Sequence, residues 1–200
     1  LSRVHVEFLD TPKWREDVTL TTWHKGFNRL FFLRDFVLTD NAGKERVKAT
    51  TSWLVLNLET RNMVRDPHLI KENGICSDNA IETPADKVRM PRDLEAVPVA
   101  EHLVGYSDVD MLGHANNAMY MQWAMDALDY ELALSRPVKE FTINFNHETK
   151  AGDLVKLVCT CCGGSGGGKP DSAMGGGSDV SRLDEALSAV EAFVSDKVKE

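Results

Sequence analysis

The chain has 200 residues, enough for one medium domain or two small ones, and its apolar fraction of 42% is that of an ordinary water-soluble globule able to build a sizeable core. A formal charge of -8 and a pI near 5.3 argue against general binding to nucleic acid or anionic membranes, which requires a basic surface. The first 75 residues are slightly basic and the remainder strongly acidic, so an acidic partner would be met by the first part of the chain.

In chain order, Leu1 to Leu9 alternates Val4, Val6 and Phe8 against His5 and Glu7, a half-buried strand closed by Asp10-Thr11-Pro12. A strand over Asp17–His24 and a turn at Lys25-Gly26 lead to a strand over Arg29–Thr39. A hairpin at Asp40–Gly43 then precedes a strand over Val47–Leu58, completing an antiparallel meander. From Asn62 to Pro98 periodicity fades and prolines recur, which reads as a linker with a short helix opening at Pro67.

Val99–Gly105 reads as a short strand. The stretch after it concentrates the chemistry: Asp108, Asp110, His114, Asn116 and Asn117 crowd around Gly113, and one helix, apolar on most of its surface, runs from the asparagines to about Leu134. That helix is expected to be buried. A histidine ahead of a buried helix N-terminus meets free backbone N–H groups and the positive dipole end, a place to stabilise an oxyanion. The competing reading is ordinary: Asp and Asn cap helices, and a lone loop histidine is usually just solvated.

Phe141–Asn146 alternates cleanly, and a turn at Ala151–Asp153 leads to a strand over Leu154–Cys162; strand, helix, strand, strand is the start of a sheet wrapped around one helix. Cys76, Cys159, Cys161 and Cys162 read as reduced thiols in a cytosolic protein, with no metal site. A cysteine nucleophile lacks any sign of an activating base. Gly163 to Ser178 is Gly/Ser-rich and expected to be a flexible tether to an amphipathic helix over residues 179–200. That helix would dock on a sheet, pair with a partner helix, or be an appended segment. No membrane span or signal peptide is visible, and a first residue of Leu suggests a start inside a longer protein.

The segments LSRVHVEF, VTLTTWHKGFNRLFFLRDF and TTSWLVLNLETR, together with SDVDMLGHANN followed by FTINFNHETKAGD, resemble the acyl-ACP thioesterases. In that family two hotdog domains, each a curved antiparallel sheet around a long helix, lie in tandem. The resemblance implies an α+β fold with the latter part of a first hotdog domain at 1–66, a linker at 67–98 and the opening part of a second at 99–162. The tether at 163–178 and the helix at 179–200 would follow. The family's first strand and first helix would precede Leu1, and its closing strands would follow Cys162.

The implied function is hydrolysis of acyl-acyl carrier protein to release a fatty acid, with no cofactor or metal, a cytoplasmic location and a homodimer among the expected assemblies. The alternative is a non-catalytic acyl- or carrier-binding assembly module. By resemblance Asp110, His114 and Glu148 match the catalytic positions: Asp110 would orient His114, and Glu148 would position or deprotonate the water. Asn116 and Asn117 would cap and brace the helix, with backbone N–H groups after Gly113 as oxyanion donors. The family's usual Asp-x-Asn-x-His has Leu112 at its asparagine position here. The acidic carrier would dock on some of Lys25, Arg29, Arg34, Arg61 and Arg65.

Overall fold

The computed structural model describes residues 1–57, 59–60, 62–64, 74–88, 97–160 and 171–175, without side chains at 132, 159, 160 and 171–175. Arg61, Arg65, Cys161, Cys162, the helix expected at Pro67 and the one expected over 179–200 lie outside these residues. The chain forms two compact units, one of residues Leu1–Val88 and Pro137–Asn146, the other of Arg89–Arg136 and His147–Glu200.

The first unit is a five-stranded antiparallel sheet in the order β2-β3-β4-β1-β6. Its strands are β1 (Arg3–Phe8), β2 (Val18–Asn28), β3 (Phe31–Asp40), β4 (Glu45–Trp53) and β6 (Glu140–Asn144). The meander expected over β2–β4 is present, but Lys25-Gly26 is no turn. The register of β2 against β3 shifts between His24 and Gly26, and Gly26 sits at φ +122, so the extra residue is a bulge inside a longer strand. The reversal falls instead at Arg29, itself at φ +57. The Asp40–Gly43 hairpin forms as read, with Asp40 Oδ1 accepting from Ala42 and Lys44 N–H and Gly43 at φ +79.

The FTINFN strand, expected beside the second-unit strands, is β6 and pairs with β1, matching Val4 to Ile143 and Val6 to Phe141. The two strands bring their apolar alternations to the same face, with the Phe8 and Phe141 rings 5.9 Å apart. Alternation marks a strand but not its neighbour, which is why chain order alone assigned it to the wrong sheet.

The described part of the expected linker is a strap laid across the sheet in strand order. Ile75 bridges His24 and Cys76 N–H bonds His24 C=O on β2; Ala80 N–H reaches Asp35 on β3; Arg3 on β1 bonds Ala85 C=O; and Val88 N–H bonds Asn144 on β6. Ile81 and Ala85 of the strap are buried with Leu33 and Val37 of β3. Aperiodic sequence hid this segment, because its backbone is satisfied by side chains of the sheet rather than by a ladder of its own.

The second unit pairs β5 (Val97–Leu103), β7 (Leu154–Thr160) and β8 (Asp171–Gly175) in the order β5-β7-β8. Helices α1 (Asn117–Asp126) and α2 (Tyr130–Ser135) precede β7 in the chain. The single long helix expected to about Leu134 is thus broken: Leu128 N–H turns back to Met125 C=O, and Asp129 C=O takes Ala133 N–H to start the second. α1 is also less buried than its composition implied. Trp123 is its one buried residue and packs with Val104, Ala115, Val155 and Leu157, whereas Met121, Met125 and Leu128 remain partly exposed, because the described sheet covers one stripe of the helix. β8 corrects the featureless tether: its backbone pairs with β7 from Lys156↔Gly175 to Thr160↔Asp171, through residues that interrupt the glycine runs. No described helix is long and apolar enough to cross a membrane.

Candidate active site

The polar stretch after β5 is folded by its own hydrogen bonds. Val104 is buried and fixed to the β7 turn by Val104 N–H to Asp153 C=O and Gly152 N–H to Val104 C=O. A single 3-10 turn over Tyr106–Asp108 follows and carries the Asp108 side chain inward, where it is 4% exposed. The Asp108 carboxylate accepts Gly105 N–H at 2.7 Å and lies 2.8 Å from His102 Nε2. These contacts, the Gly105 bond foremost and then His102, hold its carboxyl below the usual range. The Asp108 C=O takes Asn116 N–H at 2.7 Å, closing the loop at its far end.

Between these ends the chain makes a tight reversal, with a bridge between Val109 and Ala115 and Asp110 N–H bonded to His114 C=O at 2.8 Å. Gly113 at φ +78 completes it, a conformation that L side chains rarely adopt. Asn116 caps α1, its side chain accepting Ala118 N–H at 3.0 Å, while Asn117 is the helix's first residue and is exposed.

His114 Nε2 stands 3.1 Å from Glu148 Oε2, so the structure brings together two of the three residues singled out. The third stands apart. The exposed Asp110 carboxylate accepts Leu112 N–H at 2.8 Å, and Asp110 meets His114 through the backbone bond alone among the described residues. The expected role of Asp110 in orienting the imidazole is therefore not one this arrangement supplies: its side chain is committed to a turn of its own. The oxyanion donors also narrow. Ala115 N–H is taken by Thr149 C=O, Asn116 N–H by Asp108 and Ala118 N–H by the cap, leaving, among the described residues, those of His114 just before α1 and Asn117 at its start.

Of the residues expected to meet an acidic carrier, Lys25 is turned inward by the β2 bulge and forms an ion pair with Asp35, so it offers nothing to a partner. Arg29 is exposed at the hairpin tip, and Arg34 Nη1 donates to Thr22 Oγ1. The sequence reading missed His102, whose ring lies 4.6 Å from that of Trp123, and Tyr120, whose hydroxyl donates to Thr149 Oγ1 at 2.7 Å. Alternation offered the signal for His102, since it shares the inner face of β5 with Ala100 and precedes buried Val104 by two. Among the described residues no three His, Cys, Asp or Glu side chains gather as a metal site needs.

Residues 1–72 match the family model described as the acyl-ACP thioesterase N-terminal domain, and residues 92–184 match that of the acyl-ACP thioesterase C-terminal domain. The chain belongs to the acyl-ACP thioesterase family. It is 27% identical over 179 residues to oleoyl-acyl carrier protein thioesterase 2, chloroplastic, of Arabidopsis thaliana, a match covering 80% of this chain and 46% of that protein. It is 25% identical over 168 residues to the oleoyl-acyl carrier protein thioesterase of Coriandrum sativum, covering 77% of this chain and 44% of that protein. This acyl-ACP thioesterase family chain thus spans about half the length of the curated relatives it matches.

Among solved structures, the 12:0-ACP thioesterase from Umbellularia californica superposes with a TM-score of 0.72 at 22% identity, covering 82% of this chain and 65% of that one. The acyl-ACP thioesterase from Bacteroides thetaiotaomicron VPI-5482 gives 0.61 at 25%, covering 81% and 65%. The α+β hotdog architecture expected from the sequence is the fold of this family member. A separate, short likeness joins it to another protein: 58% identity over 45 residues to the alanine–tRNA ligase of Methanospirillum hungatei, covering 22% of this chain and 5% of that protein.

Proposed function

We propose that this chain hydrolyses the thioester of an acyl-acyl carrier protein and releases a fatty acid. The observation that carries the reading is the His114–Glu148 pair, 3.1 Å apart beside the N-terminal end of α1. Glu148, partnered by the imidazole, takes a proton from a water as that water adds to the thioester carbonyl carbon. The developing oxyanion is met by the N–H groups of His114 and Asn117, backed by the helix dipole. Collapse of the adduct breaks the C–S bond, and the thiolate leaves without strong acid assistance. No metal or cofactor takes part in this scheme. The printed names of the relatives, oleoyl-acyl carrier protein thioesterases, support an acyl-carrier substrate.

Arg29 and Arg34 are the described cations left for an acidic carrier after Lys25 is removed, and charge reversal at both should weaken carrier binding at low salt. Binding unaltered by that reversal removes this surface. A homodimer and a cytoplasmic location belong to the same proposal; the plant relatives are named chloroplastic. A cut after Gly163 would also remove β8, so the terminal helix is tested by cutting after Ser178. Hydrolysis is expected to persist.

The test is release of free thiol from a panel of acyl-ACPs and acyl-CoAs. Glu148→Gln is expected to lower the rate by about 10²-fold or more. A second reading, a non-catalytic acyl- or carrier-binding module, is favoured by the Asp110 carboxylate being spent on Leu112 N–H. Stoichiometric binding of acyl-ACP with no thiol release selects it.

A further inference from the structure

Glu148 sits outside any strand or helix. Residues 145–150 lie between β6 and β7 in no strand, and the chain passes there from the first compact unit, ending at Asn146, to the second, beginning at His147. A carboxylate on a long side chain at 47% exposure has many rotamers open to it, so its place opposite His114 depends on what fixes the backbone that carries it.

The residue after it supplies that fixation at two points. Thr149 C=O accepts Ala115 N–H at 2.7 Å, which ties Thr149 to the neighbour of His114 just as Glu148 faces His114 itself. The main chain is held again one residue on, where Lys150 N–H donates to Asp153 Oδ2 at 2.8 Å. Thr149 Oγ1 accepts the Tyr120 hydroxyl at 2.7 Å, which adds a side-chain tie to α1 at the residue next to Glu148. Tyr120 is a rigid anchor. It stands on α1, its ring centroid is 5.0 Å from that of buried Trp123, and it packs against the core of Val104, Ala115, Val155 and Leu157.

We propose that Tyr120, acting through the Thr149 hydroxyl, is a positioning residue that holds the Glu148 carboxylate opposite His114. The proposal rests on the reading of His114 and Glu148 as the hydrolytic pair. Neither hydroxyl touches the thioester in this scheme; together they fix the residue beside the base. The role needs a hydroxyl at 149 and one at the end of the ring at 120, and is indifferent to the threonine methyl.

The experiment uses the full chain and an acyl-ACP that it hydrolyses. Kcat, KM and Tm are measured for Tyr120→Phe, Thr149→Val and Thr149→Ser, each alone and combined with Glu148→Gln. Tyr120→Phe and Thr149→Val are expected to lower kcat about tenfold, with KM changed by less than about twofold. Thr149→Ser should retain near-normal kcat. In the Glu148→Gln background, Tyr120→Phe should cost nothing further, because the group it positions is already gone. The proposal is overturned if Tyr120→Phe leaves kcat unchanged, if its full penalty persists beside Glu148→Gln, or if the loss lies in Tm and KM alone. Undiminished hydrolysis by Glu148→Gln itself, or none by the unaltered chain, removes the hydrolytic reading and this one with it. An impaired Glu148→Gln beside an unimpaired Tyr120→Phe removes only this one.

Discussion

Lys25 Nζ lies 3.0 Å from Asp35 Oδ2 with both side chains withdrawn from water, the lysine to 4% exposure and the aspartate to none. The pair is the clasp of the strap. Lys25 also donates to Ile81 C=O at 2.8 Å, and Asp35 accepts Ala80 N–H at 2.8 Å, so two consecutive strap residues are held by one ion pair. Removing one partner strands the other charge in the core, which commonly costs about 3–5 kcal/mol. Lys25→Met is therefore expected to lower the stability of the first unit by that order in chemical denaturation, and Lys25→Met with Asp35→Leu to recover only the part due to the stranded charge, because Ala80 N–H and Ile81 C=O remain without these partners. A Lys25→Met chain as stable as the parent would show that the pair does not hold the strap.

This clasp marks where sequence reading succeeds and stops. Local signals placed the strands of the meander, the Asp40–Gly43 hairpin, the cap at Asn116 and His114 ahead of the helix, because alternation, turn chemistry and capping are properties of neighbours in the chain, whereas Glu148 was singled out by the family resemblance alone. The strap and the β1–β6 pairing were not legible, since they join residues far apart through contacts that leave no periodicity. Lys25 is the plainest case. As a lone cation it reads as a surface charge, and only the bulge that shifts register at Gly26 turns it inward. At the site the chain itself gave His114, but Asp110 carries the same residue type whether it orients an imidazole or closes a turn, and the hydrogen bond to Leu112 N–H decides for the turn.

His24 makes the first unit sensitive to mild acid. Among the described residues its Nε2 is buried without a hydrogen-bond partner, its ring meets Phe27 edge-on at 4.9 Å, and burial, aided by the nearby Arg34 charge, lowers its pKa from the ordinary 6.5. An unfolded chain binds the proton at the ordinary value while the folded one resists it, so this contribution to stability is present above about 6.5 and is lost as pH falls below it. Tm is expected to fall between pH of about 7.5 and about 5.5, and His24→Gln to flatten that dependence. Parallel pH profiles for the two chains would rule this histidine out as the cause.

Asp108 and His102 brace the loop that carries the candidate site. The buried carboxylate serves Gly105 N–H and His102 at once, so Asp108→Ala leaves two half-buried groups unpaired, at a cost of about 1 kcal/mol. Because the Asp108 pKa is lowered, its contribution is present above the ordinary carboxylate range and lost as pH drops through the folded value. Amide hydrogen exchange locates the effect. Gly105 and Asn116 should exchange faster in Asp108→Ala while Val155 and Leu157 on β7 keep their protection, and uniform acceleration across the unit would instead indicate global loosening.

Leu112 occupies the position where the family resemblance places an asparagine, and two accounts of it now separate. Had it packed beneath the loop, an amide there would bury an unpaired polar group. The side chain is instead 72% exposed, and its backbone N–H is already spent on Asp110 Oδ1. Leu112→Asn therefore loses no core contact, and its stability is expected to stay within about 0.5 kcal/mol of the parent. An amide at this position, two residues from His114, adds a donor able to reach the attacking water or the thioester carbonyl, and such a positioned donor is commonly worth about 10²-fold in rate. Turnover and Tm measured together decide the matter. A faster enzyme of unchanged Tm gives the position a catalytic role, whereas unchanged Tm with unchanged rate shows that the exposed loop holds residue 112 too far from the reacting atoms for any side chain there to act.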